Sequence, residues 1–274
     1  MKMDAELTES VNPQSKDIDR KTIPEILAII NDNDKTVAFT VEKQLGKIAR
    51  AAEAIVERLQ AGGRLIYVGA GTSGRIGFMD AAECPPTYGV PKDKIVALIA
   101  GGPNALVQAA EHSEDSESEG RADMQKIGVS EKDAVVGLSA SGRTPYVRSA
   151  LKVSRESGAF TAAVICNKTG TVLDYADVSI CLLSGPEVIS GSTRMKAGSA
   201  QKMVLNMLST AAMIKLGHVT GNFMTDMRPT NRKLRQRAVF IVGNICGVDA
   251  QAAERELLKN GFDIKKTIND LGRV

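Results

Sequence analysis

Tryptophan is absent from this 274-residue chain, aromatic residues make up 4%, and only two histidines occur, His112 and His218. So few rings leave no stacking platform for bases, and nucleic acid is not an expected partner. The four cysteines form no C-x-x-C pair, and with two scattered histidines they offer no metal-ligand spacing, so no metal is expected. Cys84 has no local base and is a poor candidate nucleophile. Cys166 and Cys181 lie in apolar, strand-like runs and read as buried thiols of a reducing compartment. Long hydrophobic runs are missing too. No stretch approaches the roughly 18 unbroken apolar residues of a membrane span, so no membrane partner is expected. The opening segment MKMDAELTESVNPQSKDIDR has no apolar core of the secretory kind, and the cytoplasm is the expected location. Charge of one sign is also scarce, with a formal net charge of +3. One basic cluster, RPTNRKLRQR at 228–237, lacks interleaved aromatics and reads as a solvated helix face.

What is present is the composition of a well-packed soluble protein: 43% hydrophobic residues, 24% charged residues and 25 glycines. TIPEILAIINDND opens with Thr22 as a candidate N-cap and Pro24 in the first turn. Val37, Val41, Leu45, Ile48, Ala52, Ile55 and Leu59 then repeat at helical spacing, predicting one long helix from about Lys35 to Gln60. Alternating units follow. RLIYVGAG, KIVALIAGG, DAVVGLSASGRT, FTAAVICN and VSICLLSG read as five strands, separated by helical patterns. SGRIGFMDAAE is expected to be a short helix stopped by Pro85-Pro86. NALVQAAEHSEDSESEGRADMQKIG is expected to be one helix with a possible break, and a long helix covers about 194–217. Continuous β-branched strands alternating with helices imply a parallel sheet covered on both faces. Residues 1–34 form an arm and first helix, 35–227 the α/β domain and 228–274 a small helical subdomain.

Ligands of such sheets gather at the carboxyl ends of the strands. Three strand ends carry polar chemistry there. The first gives Gly71, Thr72, Ser73 and Gly74; the third gives Ser139, Ser141, Gly142, Arg143 and Thr144. The fifth runs into GPEVISGSTRMKAG, with Glu187, Ser192, Thr193 and Lys196. Hydroxyls and backbone N–H groups with few cations suit a phosphomonoester.

Gly69, Gly71 and Gly74 also spell G-x-G-x-x-G, the dinucleotide fingerprint. Its context fails. The second strand ends in AGGPN, without the carboxylate that grips a ribose. Thr72 and Ser73 place hydroxyls where a pyrophosphate needs bare backbone, and the prolines are expected to cut the following helix short. No nicotinamide or flavin is expected.

GAGTSGR, SASGRTPYV and GPEVISGSTRMKAGSAQKMVLNMLST resemble the phosphosugar-binding SIS (sugar isomerase) domain. More narrowly, DAAECPPTYGV and EHSEDSESEG resemble the N-acetylmuramic acid 6-phosphate etherases, a likeness that runs from LTESVNPQSKDID past residue 230. The resemblance implies a three-layer α/β/α sandwich with a five-stranded parallel sheet, acting as a homodimer. It implies cleavage of the lactyl ether of N-acetylmuramic acid 6-phosphate, giving N-acetylglucosamine 6-phosphate and D-lactate. It also places an acid at Glu83, in AAECPP, and a second carboxylate at Glu114, in EHSEDS.

The chemistry agrees with that assignment. Opening the sugar ring exposes an aldehyde that acidifies the C2 proton; a base removes it, and lactate leaves from C3 with help from an acid. Water then adds to the alkene. One base and one acid suffice, without cofactor. Glu83, beside Cys84-Pro85-Pro86, is expected in an apolar setting that keeps it protonated, as the acid. Glu114 lies in a run of acids that by itself reads as a solvated face; the resemblance makes it the candidate base. Two other readings share the loops: a regulator that senses phosphosugars without turnover, and an aldose–ketose isomerase, which has no need of an acid at the C3 oxygen.

Overall fold

Five short runs of aliphatic residues form one sheet in a computed structural model that describes residues 7–108 and 111–272. They are β1 (Leu65–Gly69), β2 (Ile95–Ile99), β3 (Ala134–Ser139), β4 (Phe160–Ile165) and β5 (Val178–Cys181). Their order is β2-β1-β3-β4-β5, and every pairing is parallel. The helices are α1 (Ile23–Asp34), α2 (Val37–Glu42), α3 (Leu45–Gln60), α4 (Gly71–Tyr88), α5 (Glu111–Glu114), α6 (Glu117–Lys126), α7 (Pro145–Glu156), α8 (Lys196–Lys215), α9 (Arg232–Cys246), α10 (Ala250–Lys259) and α11 (Ile264–Asp270).

Every residue of β1 and β3 is buried, as a sheet covered on both sides requires. Alternate side chains take opposite faces. Ile66, Val68, Val135 and Ile165 pack with Met124 of α6 and Tyr146, Val147 and Leu151 of α7. Gly137 lets α7 close in, because a Cβ there would stand 2.7 Å from Leu151. On the other face, Tyr67 donates its hydroxyl to Asp80 of α4 at 2.8 Å. Asp80 also accepts from Asn206 and Ser209, which ties α8 to α4. The expected three-layer α/β/α arrangement is the one adopted. At the amino ends of β1 and β3, Arg64 clamps Asp133 through Nε at 3.0 Å and Nη2 at 2.8 Å.

Several helices depart from expectation. α4 begins at Gly71 and runs through Pro85 and Pro86 instead of stopping there. The proline ring fixes a φ that a helix accepts, so what is lost is the two N–H donors and some steric ease. At the end of the helix the Gly89 N–H bonds the Pro85 carbonyl at 2.9 Å. The helix ends at Gly89, whose φ of +67° is left-handed and whose missing Cβ would lie 2.1 Å from the Asp226 carbonyl oxygen. The early stop therefore drops out of the case against a dinucleotide, while the missing ribose carboxylate stands. The expected 35–60 helix is two, α2 and α3, joined by a tight turn in which the Gln44 N–H bonds the Val41 carbonyl at 2.8 Å. Leu45, counted as inward by its spacing, is exposed. The expected 104–128 helix is a 3₁₀ turn at Pro103–Leu106, then α5 and α6; Ala109 and Ala110 lie outside the described residues. Cys166 is buried as expected and burial pushes its thiol up, whereas Cys181 is half-buried.

The chain divides into two compact units. One, up to Ala81 and from Asp93 to Ala212, carries the sheet; the other comprises Ala82–Lys92 and the chain from Met213 onward. The second unit has its own core, with Ala238, Ile241 and Val242 of α9 against Ala253, Leu257, Ile264 and Ile268. Among the described residues, no helix is long and apolar enough to cross a membrane.

Candidate active site

The strand order reverses between β1 and β3, so their carboxyl ends open at the topological switch point of the sheet. The glycines after β1 make the turn possible. A Cβ on Gly69 would stand 2.6 Å from the Gly74 nitrogen, and Gly71 takes a φ of +50°. Gly71, Thr72, Ser73 and Gly74 are thereby the first turn of α4 rather than a loop before it. The first N–H groups of a helix have no partner within it, and this turn carries no acid.

After β3, the hydroxyls form a directed chain. The Gly142 N–H donates to Ser139 Oγ at 2.9 Å, and Ser139 Oγ lies 2.8 Å from Thr144 Oγ1. Thr144 donates to Glu114 Oε1 at 3.1 Å. A carboxylate only accepts, so Thr144 spends its hydrogen there and the Ser139 hydroxyl points to Thr144. Ser141 Oγ sits 3.4 Å from Ser139 and accepts the Arg143 N–H; Arg143 is exposed. Asn167 holds the loop from behind by donating to the Ser141 carbonyl at 3.2 Å. Glu114 is exposed, yet it is anchored to the β3 loop and does not merely face solvent.

The β5 loop is arranged differently. Glu187 is fully buried, and its carboxylate accepts the Lys196 N–H at 3.0 Å and the Ala197 N–H at 2.9 Å. It therefore fills the N-terminus of α8 itself. Lys196, 4% exposed, donates to Asn33 Oδ1 at 3.2 Å, and Asn12 donates to the same oxygen at 2.8 Å. Burial lowers the Lys196 ammonium, against the pull of the Glu187 and Asp34 charges. These two residues, expected at the substrate, brace the loop and the N-terminal arm. Ser192 and Thr193 are half-buried on its turn, and the Thr193 carbonyl accepts the Gly198 N–H at 2.9 Å.

Two contacts join the first loop to α8. A Cβ on Gly198 would stand 3.4 Å from Thr72 Cγ2, and Ser73 Oγ donates to Gln201 Oε1 at 2.8 Å. Gln201 is 1% exposed, and among the described residues its Nε2 has no hydrogen-bond partner. Its position was not legible in the sequence, because a lone glutamine in a helix carries no motif. A buried amide donor left without an acceptor costs about 1–3 kcal/mol, which marks it as a group awaiting one.

Glu83 belongs to the helical unit, on the exposed face of α4 within its last turns. The apolar enclosure expected for it is not supplied by its own helix: Ala82 and Pro86 are exposed beside it, and only Cys84 is buried.

The SIS domain model matches residues 110–211, and the model of the glucokinase regulatory protein N-terminal SIS domain matches 47–155. A protein of Mycolicibacterium smegmatis named N-acetylmuramic acid 6-phosphate etherase is 52% identical over 257 residues, 94% of this chain and 86% of that one. A protein of the same name from Clostridium beijerinckii is 49% identical over 261 residues, covering 95% and 86%. Among solved structures, a phosphoheptose isomerase from Francisella tularensis aligns with a TM-score of 0.56 at 16% identity, over 71% of this chain and 99% of that one. That likeness speaks for the fold alone.

Proposed function

The chain belongs to the N-acetylmuramic acid 6-phosphate etherases, and from that premise we propose which of its residues carry the reaction. It is a carbon–oxygen lyase that cleaves the D-lactyl ether of N-acetylmuramic acid 6-phosphate, giving N-acetylglucosamine 6-phosphate and D-lactate in the recycling of cell-wall sugars. The sugar C2 loses a proton, lactate departs from C3, and water adds back across the alkene. The sequence is redox-neutral, so its steps require neither nicotinamide nor flavin.

The phosphate seat is the space between the first turn of α4 and the β3 loop, lined by Thr72, Ser73, Ser139, Ser141 and Thr144. The Thr72 and Ser141 hydroxyls and the backbone N–H groups of the turn are its donors, because Ser73, Ser139 and Thr144 commit their hydrogens to Gln201, Thr144 and Glu114. Gly71 and Gly74 shape the turn, and Arg143, Ser192 and Thr193 form the rim. Glu187 and Lys196 hold the rim in place from beneath. Gln201 offers its free Nε2–H to a sugar oxygen.

The observation that carries the catalytic assignment is the Thr144–Glu114 hydrogen bond, which fastens one carboxylate to the edge of the phosphate seat. Glu114 is the base at C2. Glu83 is the acid that protonates departing lactate. Its exposure in a single chain supports a homodimer, in which a second copy and the substrate cover it. Met79 is 45% exposed one helical turn before it, the kind of apolar neighbour such an interface would cover. Phosphorylated sugars do not cross bilayers unaided, which agrees with a cytoplasmic enzyme.

The test is incubation with N-acetylmuramic acid 6-phosphate and an enzymatic assay for D-lactate. Stoichiometric D-lactate is expected, and none above a buffer control would overturn the activity.

A further inference from the structure

The helical unit holds an open cleft of about 600 Å³ that the etherase scheme leaves unused. His218, Asp226, Arg228, Arg235, Phe262 and Lys265 are among its walls. Its charges do not balance. Asp226 binds His218 Nδ1 at 2.6 Å and Lys265 Nζ at 2.6 Å, so this one carboxylate is shared by two bases. The other lining acid, Asp263, accepts the Lys266 N–H at 2.8 Å. Arg228 and Arg235 have no hydrogen-bonded acid among the described residues; Arg235 lies over the Phe262 ring at 5.0 Å.

These arginines come from the basic run 228–237, expected from the sequence to be a solvated helix face. Arg228 and Arg235 are exposed, as that reading expects, and they also line the cleft. The first turn of α9 holds no acid, so Arg232, Lys233 and Arg235 stand uncompensated at the positive end of a helix dipole. An anion in the cleft relieves that repulsion.

We infer that this cleft is a second anion site, made of other residues than the phosphate seat, and that it takes a phosphomonoester dianion or free orthophosphate. Two guanidinium forks suit the oxygens of a phosphate. Thr230 adds a hydroxyl, while Met227 and Phe262 offer an apolar wall to the remainder of a ligand.

The experiment is equilibrium dialysis of the full chain against radiolabelled orthophosphate. The wild type is expected to bind at two classes of site. The double variant Arg228→Gln/Arg235→Gln should lose one class, Ser139→Ala/Ser141→Ala the other, and thermal melts should show both variants folded. Arg228→Gln alone replaces an exposed side chain with no hydrogen bond and should weaken the second class about tenfold while leaving the fold intact. Competition by N-acetylglucosamine 6-phosphate at that class would assign it to sugar phosphates; competition by orthophosphate alone would assign it to the free ion. A single class in the wild type, or two classes retained in Arg228→Gln/Arg235→Gln, would overturn the site. Loss of D-lactate release in that double variant would make the cleft part of the etherase centre and overturn its separateness.

Discussion

Thr144 gives its only hydroxyl hydrogen to Glu114, at 3.1 Å, while standing 2.8 Å from Ser139 in the loop proposed to receive a phosphate. A carboxylate and a phosphate at the two ends of one threonine repel each other. At roughly 5 Å and near-aqueous screening the repulsion is about 1 kcal/mol. Glu114→Gln is therefore expected to bind orthophosphate at this seat about fivefold more tightly than wild type, measured by dialysis. Weaker binding in the variant would place Glu114 outside the seat.

The unpartnered Nε2 of Gln201 makes a second expectation. Replacing Gln201 by Leu removes an unmet donor, so thermal stability should change little, even though Ser73 loses an acceptor. If the amide serves the substrate, kcat/KM for D-lactate release should fall about tenfold, the equivalent of one hydrogen bond. An unchanged kcat/KM would leave Gln201 a packing residue.

The five strands can be read from the sequence because both faces of this sheet are buried, which writes itself as unbroken runs such as LIYVG and AVVGLS. The hydroxyl loops are legible for a related reason: polar residues at strand ends have few purposes besides ligands and turns. What escaped was long-range. Nothing local shows that Glu187 turns inward to cap α8, or that Lys196 reaches Asn33, 163 residues away. Glu114 looks like a member of a solvated acidic run until Thr144 is seen to hold it. Pro85-Pro86 mislead in the opposite sense, since a helix-breaking signature was overridden by the packing of α4.

That override is testable. Proline in a helix interior is about 3 kcal/mol less favourable than alanine, partly offset by the stiffer unfolded chain. Pro86→Ala restores an N–H for the Ala82 carbonyl at an exposed position and is expected to raise stability by about 2 kcal/mol in urea melts. D-lactate release should fall in the same variant if the prolines set the pitch of Glu83. A destabilised variant would mean that the rings themselves are needed for packing.

The Arg64–Asp133 clamp gives a pH dependence. Burial pushes the Asp133 carboxyl up, but the hydrogen bonds from Arg64 and Ser130 and the Arg64 charge outweigh it and hold the group below the usual carboxylate range. A carboxyl depressed in the folded state stabilises the protein above its unfolded pKa, about 3.9, and that stability is lost as pH falls through the folded value. Asp133→Asn should therefore cost about 2–4 kcal/mol at pH 7, and the gap between variant and wild type should close below about pH 4. A gap that persists unchanged at low pH would deny the ion pair its role.

The most direct test of the mechanism is proton exchange at C2 of N-acetylmuramic acid 6-phosphate in heavy water, followed by NMR together with D-lactate release. The wild type should place solvent deuterium at C2 and release D-lactate. Glu83→Gln should keep the exchange and release little lactate, while Glu114→Gln should lose both. Exchange at the wild-type rate in Glu114→Gln would contradict the account at its centre, because another group would then be the base.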